Sequence, residues 1–451
     1  MIILAKNSTM FFNRYIFPVV VFLFIKGISF AQNNPAQLNS DSIQKSLQRL
    51  DQDVSILKNL KITGWIQAQY QLTDINGAKT FDGGDFLPNS SHRFTIRRGR
   101  VKFTYNQKLS QFVLQLNATE RGVNLTEIFF KATEPWTKSL SMTVGVMNRP
   151  YGFEIQQSSA DRETPERARF TQVLLPNERD MGAMITFQPV KGKKLYGLKA
   201  DAGFYNGTGI AVPGTTSLNS AGVMEFDNYM DFISRAHYKR SWKEEKIQFG
   251  MGVSHYNGGF VYQSDSVYNS ISNDSIGPHW NALDKTSFYT NTKAPRIYYG
   301  ADFQFSIKSS LGTTTIRGEY IRGSQSGQAN DSRSPASLPV DKKTFVRHFD
   351  GAYFYFIQRI AKSKHEVALK YDWYDPNTDI KGSEIKASNN SFTKADLKYS
   401  SLGLGYNYYL SERLKFMLYY NLVTNETSTG IKGYSSDLKD NVLTARIQYR
   451  F

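Results

Sequence analysis

Arg98, Arg100 and Lys102 stand at every second position of the stretch Phe94-Thr95-Ile96-Arg97-Arg98-Gly99-Arg100-Val101 and its continuation. In an extended strand such residues share one face, spaced about 6 to 7 Å apart, with Val101, Phe103 and Tyr105 on the other. A guanidinium stays charged and can fork to a carboxylate or phosphate. Such a row either lowers the barrier for passing anions and offers weak sites they can leave, or pairs with acidic residues elsewhere and braces the fold; both readings stand. Arg97 has the opposite parity and is expected at the rim unless a bulge resets the alternation. A second charged group lies between residues 149 and 180, where Arg149, Arg162, Arg167, Arg169 and Arg179 meet Glu154, Asp161, Glu163, Glu166, Glu178 and Asp180. Near-equal numbers do not make an anion trap. Opposed charges across a constriction set a pore size and a transverse field, with Glu154, Glu166 and Glu178 as its acids; the plain alternative is a surface loop. Arg446 and Arg450 add cations near the C-terminus.

Other chemistry is not signalled. The six histidines (His92, His237, His255, His279, His348 and His365) have no close ligand spacing, so no metal site is expected. There is no GxSxG nucleophile elbow. The run Asp372 to Asp379 has some calcium-like spacing but lacks the glycine and terminal glutamate of a calcium loop. Cysteine is absent, which removes disulfides and thiolate chemistry. No catalytic residue, metal or cofactor is expected.

The elements that must position these charges are legible in the periodicity. The chain has 451 residues, a net charge of +16 and 14% aromatic residues. Beyond residue 30 no apolar run approaches the ~20 residues a spanning helix requires. Lys6 and Arg14 precede the run Tyr15 to Phe24, and Ser29-Phe30-Ala31 has the small-x-small form of an export cleavage site, so residues 1–31 are expected to be a signal peptide. Residues 32–60 follow, in which Ile43, Leu47, Leu50, Val54, Leu57 and Leu60 form an a/d seam. This predicts a periplasmic helix that is either a short coiled coil or one amphipathic helix. From residue 61 the period changes to two. Sixteen strands are predicted, near 61–74, 93–107, 110–119, 123–134, 139–148, 181–189, 196–206, 229–242, 246–257, 297–308, 312–323, 345–360, 364–375, 393–409, 413–424 and 439–451.

Their connections alternate short and long, except for a short link near Glu120 to Gly122. An outer-membrane barrel has short turns on one rim and long loops on the other. Within strands, Leu443, Ala445, Ile447, Tyr449 and Phe451 share one face and Thr444, Arg446, Gln448 and Arg450 the other. Lipid suits the first face and water the second. Aromatics near strand ends, including Tyr205, Trp242, Tyr256, Tyr298 and Tyr299, are expected to form interfacial girdles. The fold class is therefore all-β: a transmembrane antiparallel barrel of about 16 strands over residues 61–451, wide enough for an aqueous channel narrowed by loops. The net positive charge is spread through strands rather than gathered in a patch, so nucleic acid is not an expected partner.

Three stretches carry a resemblance. Tyr449-Arg450-Phe451 resembles the insertion signal of outer-membrane barrels, which implies recognition of Phe451 by the insertion machinery. The doubled-arginine strand at residues 94–101 is similar to one in the phosphate-selective porin O/P family. So is the series Tyr151-Gly152-Phe153-Glu154, Pro165-Glu166-Arg167 and Pro176-Asn177-Glu178-Arg179-Asp180-Met181-Gly182, which is similar to that family's third extracellular loop re-entering the barrel. The helix at 32–60 is similar to Bacteroidetes-like versions of the family. The resemblance implies a homotrimeric passive channel for small hydrophilic or anionic solutes in the outer membrane of a Gram-negative bacterium, with phosphate one branch's preference. The anion-contact residues would be Arg98, Arg100, Lys102, Arg149, Arg167, Arg169, Arg179, Arg446 and Arg450. The competing expectations are a barrel hydrolase and a non-conducting structural or adhesive barrel.

Overall fold

The computed structural model describes residues 40–209, 227–261, 264–275, 277–283, 293–333, 343–386 and 392–451. The export signal expected at 1–31 lies outside the described residues. The chain divides into two units, Met1–Leu57 and Lys58–Phe451. Helix α1, Ser40–Asn59, occupies the described part of the first and ends just past the division. No described helix is long and apolar enough to cross a membrane.

The second unit is nearly all strand. In chain order these are β1 Leu60–Thr73, β2 His92–Gln107, β3 Ser110–Thr119, β4 Gly122–Thr133, β5 Leu140–Asn148, β6 Arg179–Phe187, β7 Leu198–Tyr205, β8 Asp231–Trp242 and β9 Ile247–Val261. They continue with β10 Ser266–Asp274, β11 Gly277–Ala282, β12 Lys293–Ser309, β13 Gly312–Gly327, β14 Lys343–Ile360, β15 His365–Asp375, β16 Tyr399–Tyr409, β17 Leu414–Asn425 and β18 Val442–Arg450. β1 pairs antiparallel with both β2 and β18, and β9 pairs directly with β12. The ring is therefore a closed antiparallel barrel of 16 strands, with the β10–β11 hairpin outside it. At the seam, the Gly64 and Phe451 amides each donate to the other's carbonyl, at 3.1 and 3.0 Å.

The hairpin is a departure from the long loop expected at 258–296. Ser266–Tyr268 pairs in parallel with Lys343–Phe345. Trp280 and Phe345 then join Ile380, Ile385, Phe392 and Leu397 in a satellite core. Residues 393–398, expected as the start of a strand, instead contain a short 3-10 turn, Lys394–Asp396. The reason is local: Thr393 Oγ1 accepts from the Ala395 amide at 3.1 Å and the Asp396 carboxylate accepts from the Thr393 amide at 2.9 Å, a reciprocal cap that competes with the ladder.

Alternation divides the wall. In β18, Thr444, Arg446 and Gln448 are buried while Ile447 and Tyr449 are exposed; in β15, Glu366, Lys370 and Asp372 are buried against exposed Val367, Leu369 and Tyr371. Period two sends successive side chains to opposite sides, and here the polar set faces inward. Two bulges interrupt it, between Gln67 and Ala68 opposite Arg97 and between Gln115 and Leu116 opposite Thr126.

Candidate functional site

The segment joining β5 to β6 runs through the barrel interior. Tyr151 is fully buried and meets Tyr256 and Tyr298 edge-on, with ring centroids 6.5 and 6.4 Å away. Gly152 follows at φ +57°, where an added Cβ would lie 1.9 Å from a Glu319 carboxylate oxygen. Only glycine allows the chain to pass so close to the wall. The Phe153 and Glu154 amides then donate to Glu319 Oε2 at 3.0 and 3.1 Å. Crossing the lumen, the Ser159 carbonyl accepts from Gln67 at 3.0 Å, the Ala160 carbonyl from Gln448 at 3.0 Å and the Arg162 carbonyl from Lys415 at 2.8 Å. Donors from β1, β18 and β17 thus satisfy backbone oxygens that would otherwise be buried unpaired.

A one-turn helix, α2 Arg169–Leu174, brings the segment back. Its entry is held by Glu154, which accepts from the Ala168 amide at 3.0 Å and Thr171 Oγ1 at 2.7 Å. Phe170 stacks on Tyr353 at 6.0 Å. The Pro176 carbonyl accepts from Arg149 at 2.7 Å, which closes the path at the start of β6.

Charge pairing fixes the middle of this segment. Glu166 is engaged by Arg97 at 2.8 Å, Arg98 at 3.0 Å and Arg446 at 3.0 Å. Burial opposes ionisation of this carboxyl, but the three guanidinium groups outweigh it and hold its pKa well below the usual carboxylate range. A second node is Glu127, which pairs with Lys102 at 3.1 Å and Arg179 at 3.0 Å. Arg179 also reaches Glu178 at 2.8 Å, and Arg167 bonds Glu178 from the other side. Arg450 pairs with Asp161 at 2.5 Å and Arg317 with Glu163. Arg169 lies over the Tyr399 ring at 3.7 Å, a cation–π contact.

Two cations are left over. Arg100 makes no ion pair among the described residues; it lies 5.7 Å from the Trp65 ring and its Nε lacks a partner. Arg162 is 1% exposed, and none of its guanidinium nitrogens has a hydrogen-bond partner among the described residues. The geometry therefore brings Arg98, Lys102, Arg167, Arg179, Arg446 and Arg450 together with acids, uses Arg149 on a backbone carbonyl, and leaves Arg100 unpaired.

Several residues of the site escape the alternation. Arg97 points inward beside Arg98 because the bulge opposite Gln67 and Ala68 inserts it as an extra residue; a doubled arginine is the visible signal. Tyr205, Tyr256 and Tyr298, expected in a girdle, are fully buried in the lumen instead. The pair Tyr298-Tyr299 carries the clue, since adjacent strand residues cannot share a face. Glu127, Glu319 and Arg317 carried no motif; inward parity alone could have marked them.

Between this segment and the wall of β2 to β4 a cleft of about 630 Å³ remains. Arg97, Arg98, Arg100, Arg121, Arg167 and Arg179 line it, with Arg333 from an outer loop, against Asp85, Glu120, Glu166 and Glu178. Cations outnumber acids on its surface. Among the described residues no group of acidic or histidine side chains could hold a metal ion.

Residues 346–451, which cover nearly all of β14 and the strands through β18, match the family model described as phosphate-selective porin O and P. No curated protein matches the chain. Among solved structures it is similar to an anion-selective porin from Comamonas acidovorans, with TM-score 0.50 and 11% identity over 87% of this chain and 99% of that one. It is also similar to the outer membrane channel DcaP of Acinetobacter baumannii, with TM-score 0.48 and 12% identity over 87% and 97% of the two chains.

Proposed function

With a C-terminal quarter that carries the phosphate-selective porin O and P pattern as premise, we propose that this chain is a passive diffusion porin of a Gram-negative outer membrane. Small hydrophilic solutes pass beside the inner segment through the arginine-lined cleft, with a modest preference for anions. The observation that carries the preference is the excess of guanidinium groups over carboxylates on the cleft surface, including unpaired Arg100. Fixed cations in a water-filled constriction lower the entry barrier for anions, and the ion pairs around them keep each site weak enough to release. Whether phosphate is favoured over chloride belongs to the same reading. The residues act as binding and field groups for solutes in passage, in keeping with the porin pattern of the C-terminal strands. The homotrimer implied by the family resemblance is part of the proposal.

One observation supports a second reading. The inner segment bonds to β1, β2, β9 and β13 through β18 and its aromatic side chains pack into the wall, as in a barrel closed by its own loop. Planar-bilayer recording separates the two. The expected result is a small, steady conductance with a zero-current potential of anion sign in a KCl gradient, reduced when phosphate is added. A potential of cation sign would overturn the preference, and absence of conductance would favour the closed barrel. Arg100→Gln is expected to move the potential toward zero without changing the folded gel band.

A further inference from the structure

The short-turn rim of the barrel, which faces the periplasm in outer-membrane barrels, has a repeated composition that conduction does not use. Nearly every turn sets an exposed apolar or aromatic side chain beside a cation. Trp136 is 86% exposed and precedes exposed Lys138. Leu195 and Tyr196 follow Lys193 and Lys194. Trp242 lies between Arg240 and Lys243, with the Arg240 guanidinium 5.9 Å from its ring and bonded to Tyr238 Oη at 3.1 Å. Leu311 and Leu410 repeat the motif with Lys308 and Arg413.

None of these cations makes an ion pair among the described residues. The acids on the same turns are Glu134, Glu244, Glu245 and Glu412, and Glu134 is occupied by the amides of Trp136, Thr137 and Ser139 at 2.7, 2.9 and 2.8 Å. The opposite rim differs: there charges pair locally, as in Lys79 with Asp85 at 3.1 Å and Arg121 with Glu120 at 3.8 Å.

We propose that this rim binds the headgroups of anionic glycerophospholipids in the inner leaflet. Indole and phenol rings and leucine side chains settle at the boundary of the hydrocarbon, and lysine and arginine stems reach from there to the phosphate plane. A polymer of sugars and carboxylates would call for the cations and for flat aromatic faces, but not for the exposed leucines Leu195, Leu311 and Leu410 beside them. A zwitterionic headgroup would call for acids to meet its ammonium, and the rim has few to spare. Net negative lipid satisfies both halves of the motif. The inference is independent of the channel reading, since a barrel that conducts nothing would bind the same lipid.

The test uses the full chain in bilayers with spin-labelled phosphatidylglycerol or phosphatidylcholine, reading the motionally restricted fraction at the protein surface. Wild type is expected to prefer phosphatidylglycerol by about threefold at low ionic strength, with the preference lost at high salt. The variant carrying Lys193→Gln, Lys194→Gln, Arg240→Gln and Lys243→Gln is expected to show a clearly smaller preference while keeping the heat-sensitive folded band, and an undiminished preference would overturn the proposal. Equal association of both lipids with wild type overturns the proposal, as does salt-sensitive binding to isolated peptidoglycan without lipid preference. Displacement of the labelled lipid by inorganic phosphate beyond that by chloride at equal ionic strength would assign the rim to free phosphate and overturn it too.

Discussion

Among the described residues, Glu166 has the largest set of ionic partners in the lumen. Three guanidinium groups converge on one carboxylate that is 4% exposed, so its removal strands three buried cations. Breaking a buried pair in this way costs about 3–5 kcal/mol. Glu166→Gln is therefore expected to free the inner segment and convert a steady single-channel current into a larger, noisy one; an unchanged trace would show that the pairing does not hold the segment. The pH dependence follows from the same group. Its folded pKa is depressed, so its contribution is fully present above the unfolded value of about 4.3 and is lost as pH falls through the folded one. Current recorded in steps from pH 8 is expected to stay constant to about pH 5 and become noisy only well below about pH 4. Onset of noise at neutral pH would point to another group.

At the scale of elements, two glycines show where backbone must approach closely. Gly152→Ala would set a Cβ 1.9 Å from the Glu319 carboxylate at φ +57°, and the strained position alone costs about 1–3 kcal/mol. Its expected effect is on the current, through a displaced inner segment, with little change in barrel assembly. Gly64→Val acts on the other structure. A Cβ there lies 2.3 Å from the Phe451 ring and 2.5 Å from the Arg100 carbonyl oxygen, at the seam where β1 meets β18. This variant is expected to lower the temperature at which the folded gel band disappears, while the ion preference of surviving channels is unchanged. The inner segment is itself an added element: the ladder from β1 through β18 closes without it. Replacing residues 153–175 with a short flexible linker is expected to raise conductance severalfold and leave a folded, heat-sensitive band. Loss of that band would mean that the lumenal packing around Phe170 and Tyr353 is required for closure.

For the whole molecule, a closed hydrogen-bonded ring with an apolar exterior should unfold only on heating in detergent, so unheated samples are expected to migrate faster than boiled ones and to fractionate with the outer envelope. Much of this architecture was readable from residue order alone. The period of two, the alternation of short and long connections and the even strand count depend on neighbours in the chain, and the predicted strands from 61–74 through 439–451 overlie the observed ones to within a few residues at most ends. The lumenal face of Arg98, Arg100, Lys102 and Arg446 follows from the same parity. What needed the folded chain were the features set by partners far apart in sequence. Arg97 turns inward only because a bulge forms against Gln67 and Ala68; the β10 strand forms against β14, across more than seventy residues; and the arginine row is mostly a brace because Glu166 and Glu127 come to meet it. Between the bulges, the sequence by itself determined which side chains share the lipid face and which the lumenal face, since a regular strand leaves no choice. Only the tertiary structure decided which inward charges neutralise one another and which, like Arg100, have no ion pair among the described residues, because Coulombic pairing depends on distance through space and not along the chain.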